Sequence, residues 1–245
     1  MVDVYELFRT CYGKGSSWAV WSKPYYGKWR SKDSIEDLNV VWENKSCSIE
    51  EVAKKLFESK NTKFIFVGLN PSNHPSACNH EEDECNSCRF KKSCKGKDMI
   101  SEEWSSFHSG CLKKSQDYKI RYVLHEKYPE LWGSFLIDIL EVIDSNGNHV
   151  YKKTTEDDWN KGIDDLLRAR EMLGGHAVLV PMGQYAFDKL CEYRVRSDYK
   201  DRFDGIVIRG IRHFSAPGID KFKNAVGDLC KDSMEDQNPR YFKGY

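Results

Sequence analysis

FIFVGLNPS, from Phe64 to Ser72, begins as a segment built for burial and ends as a polar turn. Five of the six residues from Phe64 to Leu69 are apolar and the sixth is Gly68. That length and the β-branched Ile65 and Val67 predict a strand buried on both faces, as in a parallel sheet, rather than a helix. Gly, Asn and Pro then stop it abruptly. Open α/β sheets place their ligand chemistry at the carboxyl ends of such strands, which makes Asn70 the first candidate functional residue.

Outward from this strand the pattern repeats. SIEEVAKKLFES, residues 48–59, has Ser48 followed three residues later by Glu51 and then apolar residues at helical spacing, a capped helix leading into the strand. A helix is expected from about Tyr118 to Glu126. WGSFLIDILEV, residues 132–142, reads as a second strand, apolar over its centre apart from Asp138. A helix from Asp157 to Leu173 should stop at Gly174 and Gly175. HAVLVPMGQYAFDKLC then reads as strand, glycine turn and helix, and DGIVIRGIRHFSAPG as strand and polar loop. Four strands alternating with helices predict a three-layer α/β/α sandwich around a central parallel sheet of about four strands, with its strand-end loops along one edge. The expected organisation is an aromatic-rich extension and lead-in helix over 1–59, the α/β domain over 60–230, and a C-terminal tail over 231–245.

Composition narrows the setting. The chain has 245 residues, no apolar run of membrane-spanning length, and an N-terminus, MVDVYELFRTCYGKG, without the order of a secretory signal, so a cytoplasmic protein with no membrane contact is expected. Lys plus Arg and Asp plus Glu balance at 38 each, so any grip on nucleic acid must come from a local basic face. One such stretch is SSWAVWSKPYYGKWRSK, residues 16–32, where three Trp and two Tyr stand among four basic residues; it reads first as a local core, with base stacking as the alternative.

The loops GLNPS after the first strand and RHFSAPG after the last, taken together, resemble the uracil-DNA glycosylase superfamily. Its members carry Gly-x-Asn-Pro or Gly-x-Asp-Pro in the first position and a His-Pro-Ser-type loop in the last. The likeness is closest to the Asn-using single-strand-selective and mismatch-specific branches. It extends over residues 60 to about 228 and includes VLVPMGQYAFDKL, which looks like the superfamily's strand, glycine and helix segment. The resemblance implies a monofunctional DNA glycosylase that flips a nucleotide out of DNA, hydrolyses its N-glycosidic bond and leaves an abasic site. Asn70 would hold the attacking water, and His213 would donate a hydrogen bond to the base oxygen as negative charge gathers there. Leu69 would border the base, and Ser72 and Ser215 would hydrogen-bond the flanking phosphates.

Two further positions bear on the base. Phe107 lies 37 residues beyond Asn70, but 14 once the 23-residue segment 78–100 is set aside, which matches the place of the superfamily's base-stacking aromatic. A plain packing aromatic is the alternative. Asp138 stands where the superfamily has an Asn that reads the uracil edge. A carboxylate only accepts, which suits the exocyclic amine of a modified cytosine, as in some phage genomes, better than O4 of uracil. Asp138 capping a loop, pairing with a lysine, or turned away by a one-residue slip is the competing reading. Phe214 replaces the usual Pro, and either Phe214 or Ile219 is a candidate wedge for the hole left by the flipped base.

Four of the nine cysteines, Cys78, Cys85, Cys88 and Cys94, crowd into a polar, lysine-rich stretch with x6, x2 and x5 spacing. They suggest a metal-binding insertion at about 74–100, a staple beside the site that the chemistry does not need. The x5 gap is wide for zinc. CNSCRFKKSC is similar to the iron–sulfur stretch of certain CRISPR-associated and recombination exonucleases, so a 4Fe-4S cluster is favoured over Zn2+, with His74 and His80 as substitute ligands. Arg89, Lys91, Lys92, Lys95 and Lys97 either touch DNA phosphates or offset the acids at 81–84. The partner expected is DNA, met by a monomer. Competing functions are a non-catalytic DNA- or nucleotide-binding module on the same fold, and a hydrolase using Cys111 or His108.

Overall fold

The computed structural model describes residues 3–13, 16–20, 40–42, 45–69, 107, 117–140, 150 and 152–244. Helix α1 (Val4–Tyr12) and strand β1 (Ser16–Trp18) come first, then an antiparallel ribbon of β2 (Val40–Trp42) and β3 (Lys45–Cys47), and helix α2 (Ile49–Ser59). Strand β4 (Phe64–Gly68) follows where the apolar run predicts it. Helix α3 (Asp117–Arg121) continues as a π-helical turn, Tyr122–Lys127, into β5 (Phe135–Asp138). The remainder is α4 (Glu156–Met172), β6 (Val178–Pro181), α5 (Gln184–Val195), β7 (Arg209–Ile211), α6 (Ile219–Lys231) and β8 (Arg240–Phe242).

The main sheet is mostly parallel, in the order β1-β5-β4-β6, with β1 antiparallel on the outer edge of β5. Strands β5 and β6 flank β4 and run parallel to it. Parallel bridges from Leu179 to Ile208 and from Met182 to Ile211 lay β7 beside β6, and β8 pairs parallel with β7. The chain leaves β4 for β5 on one side and later returns to β6 on the other. A sheet of this order has its topological switch point between β4 and β6, at the carboxyl edge.

Alternation along the strands explains why β4 is apolar throughout. Ile65 and Val67 join a buried cluster with Phe8, Val52, Phe57, Ile163 and Leu190, from α1, α2, α4 and α5. Phe66, Leu136 and Val180 join a second with Ile120, Leu124, Phe222 and Val226, from α3, the π-turn and α6. Helix α2 starts as its sequence predicts, with Ser48 and Glu51 satisfying each other's backbone N–H groups in a capping box, worth about 1 kcal/mol. Helix α4 gives way to Gly174 and Gly175, both at positive φ.

Both chain ends are more deeply built in than an extension and a tail. Phe8 and Trp18 are fully buried, and the Trp18 ring meets Phe135 edge-on at 5.0 Å, so α1 and β1 belong to the core and the sheet. At the other end, residues beyond 231 return as β8. Arg209, at 0% exposed, pairs with Asp232 and donates to the carbonyls of Asp236 and Asn238, which fixes their path. Among the described residues no helix is long and apolar enough to cross a membrane.

Candidate active site

The carboxyl ends of β4 and β5 meet at Gly68 and Asp138, which are register partners. A Cβ on Gly68 would lie 2.0 Å from Asp138 Oδ1 and 3.4 Å from Phe107 Cζ. Only a hydrogen fits there, so carboxylate and aromatic ring converge over a bare backbone. Asp138 lies two residues past Leu136 and therefore on the same sheet face, that of the second cluster, to which Phe107 and Phe214 also belong. The register thus turns Asp138 toward Phe107, not away from it.

Phe107 is half-buried, and its φ of +64° is a left-handed conformation costing an L-residue roughly 1–2 kcal/mol. Its ring stands edge-on to Phe214 with centroids 6.5 Å apart. Such strain in a non-glycine residue persists only where surrounding packing holds it.

His213 follows β7 by two residues. Its Cβ approaches so closely that a Cβ on Gly183 would sit 3.2 Å away, and Gly183 itself has a φ of +102°. The glycine turn between β6 and α5 is thus required both by its backbone and by the imidazole packed on it. His213 Nδ1 accepts the Ser215 backbone N–H at 3.1 Å and lies 2.6 Å from Ser215 Oγ. An Nδ1 that accepts from an amide carries no proton, so in the neutral ring the proton is on Nε2, which is a donor. Burial first, and the charge of Lys119 second, push the pKa of His213 down to about 4. The imidazole is therefore neutral around pH 7.

The loop carrying His213 is gripped from two sides. Lys119 on α3 donates to the Ala216 carbonyl at 3.5 Å, and Arg212 Nη2 donates to the Pro217 carbonyl at 3.0 Å. Nothing in the sequence singles out Lys119, because lysine in a helix is nearly always solvated. Its position beside Ile120, in a helix expected to bury one face, is the only signal, and it does not distinguish a buried lysine from an exposed one.

Of the residues singled out from sequence, Asp138 and Phe107 meet over Gly68, and Phe214 bridges from Phe107 to His213, on which it stacks at 4.4 Å. Ser215 is exposed and bonded to His213. Leu69 packs its side chain against the first cluster, on the opposite face, so only its backbone borders the site. Phe214 is 7% exposed, stacked on His213 and packed against Phe222, which leaves it no free apolar surface to insert as a wedge. Ile219, half-buried at the start of α6, retains that surface. Asn70, Ser72, His74, His80, the cysteines at 78, 85, 88 and 94, and the alternatives His108 and Cys111 lie outside the described residues. Among the described residues, no group of three or more His, Cys, Asp or Glu could hold a metal ion.

The described site offers an N–H donor, a carboxylate acceptor and an aromatic ring beside a topological switch point, a combination suited to a flat polar ring. No protein-family model, curated protein or solved structure matches the chain.

Proposed function

We propose that the chain is a monofunctional DNA glycosylase of the uracil-DNA glycosylase superfamily that hydrolyses the N-glycosidic bond of a flipped-out modified pyrimidine. The observation that carries this reading is the neutral His213, fixed by Ser215 as an Nε2–H donor and joined to Phe107 through the Phe214 ring. Breaking the bond sends an electron pair into the base, and a preoriented neutral donor stabilises the resulting oxyanion without having to transfer a proton. Asn70, two residues after Gly68, orients the water that attacks the sugar carbon; an amide suffices because the sugar is already cationic in character. Phe107 stacks on the base, and Asp138 accepts from its exocyclic amine, which favours a modified cytosine, including phage-type hypermodified forms, over uracil. Ser72 and Ser215 hold phosphates and Ile219 fills the vacated stack.

Two buried clusters on alternate strand residues support the three-layer α/β/α reading. The four cysteines hold a 4Fe-4S cluster as a staple for the loop before Phe107, and the protein acts as a cytoplasmic monomer. Incubation with uracil-containing, native and phage-modified DNA, with mass spectrometry of freed bases and an assay for alkali-labile sites, tests the activity. Release of one base, abolished in Asn70→Ala with DNA affinity retained, is the expected result. Binding without release from any substrate would identify a binding module instead. Iron and sulfide quantification tests the metal.

A further inference from the structure

Lys119 is a charge whose burial stability does not explain. Its side chain belongs to a residue only 9% exposed, between the apolar side of α3 and the loop after β7. An ammonium has three donors, and among the described residues it meets one acceptor, the Ala216 carbonyl at 3.5 Å. Desolvation lowers its pKa, and among the described residues no carboxylate acts to offset that. A largely buried ammonium with one long hydrogen bond is costly, and an unbranched apolar side chain of similar length would fill the same space without that cost. The ammonium therefore has to be accounted for by what it acts upon, and its contact is three residues along the loop from His213.

We propose that Lys119 is a positioning residue for His213: it grips the loop through Ala216 and sets a fixed positive charge beside the imidazole, so that the site accommodates only the neutral, Nε2-protonated ring. Around His213, α3 contributes Lys119, and its own loop contributes Ser215 and, one residue before, Arg212. The turn before α5 contributes the uncharged Gly183, and Asp138, at the end of β5 with β4 and β6 between, is an acidic side chain at this edge of the sheet. A proton added to Nδ1 would confront the Ser215 N–H, donor against donor, and loosen the loop. Burial and, after it, Lys119 keep that event at acid pH. The role of the imidazole rests on the glycosylase reading; its positioning by Lys119 does not.

Histidine-selective NMR titration of the full chain, with His213 assigned by difference from His213→Gln, separates the two. Wild type should titrate near 4, and Lys119→Met should titrate higher yet short of the ordinary 6.5, because burial remains the larger cause. Lys119→Arg should stay near wild type, and Lys119→Gln supplies the neutral comparison should the Met variant fail to fold. In base release, the acid limb of kcat should move up in pH with the NMR midpoint. An unchanged midpoint in both neutral variants would overturn the assignment whether or not any base is released. A shifted midpoint in a protein that frees no base from any DNA would instead overturn the glycosylase reading and leave Lys119 where it is placed here.

Discussion

Gly68 carries no side chain, yet it fixes the position of two that matter. Asp138 Oδ1 occupies the space a methyl group would need, so Gly68→Ala must displace the carboxylate from its place beside Phe107. The variant should fold, at a cost of about 1–3 kcal/mol for overpacking, while base release falls roughly a hundredfold, the scale expected for misplacement of about 1 Å at a reacting centre. Melting curves alongside single-turnover base release check this; a wild-type rate in a folded variant removes Asp138 from the base pocket. Asp138→Asn adds a donor to the acceptor, and it should shift selectivity toward uracil by about 1–3 kcal/mol, read as the ratio of the two bases released. His213 sets an acid limit on stability as well. Its folded pKa of about 4 lies below the ordinary 6.5, so between those values the unfolded chain takes up the proton first. Its contribution is complete above 6.5, declines as pH falls through that window and is gone below 4. His213→Gln should therefore show a flatter fall in denaturation midpoint across the window than wild type.

At the level of elements, what the sequence made legible was local. Ser48 and Glu51 announce the start of α2 because a capping box involves only neighbours, and the run from Phe64 to Val67 announces β4 because both of its faces are covered. The π-helical turn at 122–127 and the left-handed Phe107 were not legible, since each is imposed by what packs around it. Strands β1 and β8 have three residues apiece, too few to show a period, and pairing partners alone define them. Gly162, inside α4, shows how packing overrides local preference. Helix propensity argues that Gly162→Ala should stabilise by nearly 1 kcal/mol. A Cβ there would lie 2.1 Å from the Ile139 carbonyl oxygen, directly after Asp138, and a backbone carbonyl in the sheet cannot rotate aside. The clash wins, so Gly162→Ala should lower the denaturation midpoint and drive α4 away from β5. A rise in midpoint would show that α4 does not rest on the sheet at that point.

Across the whole molecule, the sheet is closed at both margins by the two ends of the chain, β1 beside β5 and β8 beside β7. From sequence alone, residues beyond 231 look like a tail because nothing local marks Arg209 as buried. Its guanidinium donates to the neighbouring Ile208 carbonyl and otherwise to groups 23 to 29 residues downstream. Arg209→Met would strand the Asp232 carboxylate, itself 6% exposed at the side chain and otherwise held by Arg240, and breaking such a pair costs about 3–5 kcal/mol. That is a large share of the 5–15 kcal/mol holding a typical domain together. Deleting residues 233–245 has a different signature. It keeps Asp232 beside Arg209, though without Arg240 and the Asp236 and Asn238 carbonyls that support the pair, and it removes β8, whose Phe242 carbonyl accepts the Arg212 N–H at 3.1 Å, one residue before His213. It also takes away Tyr241, which packs on Phe187 across Gly210. Strand β7 then becomes a free edge, and the loop that orients the imidazole loses its nearest backbone anchor. The truncated chain should melt below wild type but remain folded, and its base release should fall further than its stability does, with the His213 resonances broadened. Arg209→Met should show the reverse balance, with a deep loss of stability and near-normal kcat in whatever fraction remains folded. Equal losses in both readouts for the truncated chain would mean that β8 serves the core alone and has no part in holding His213.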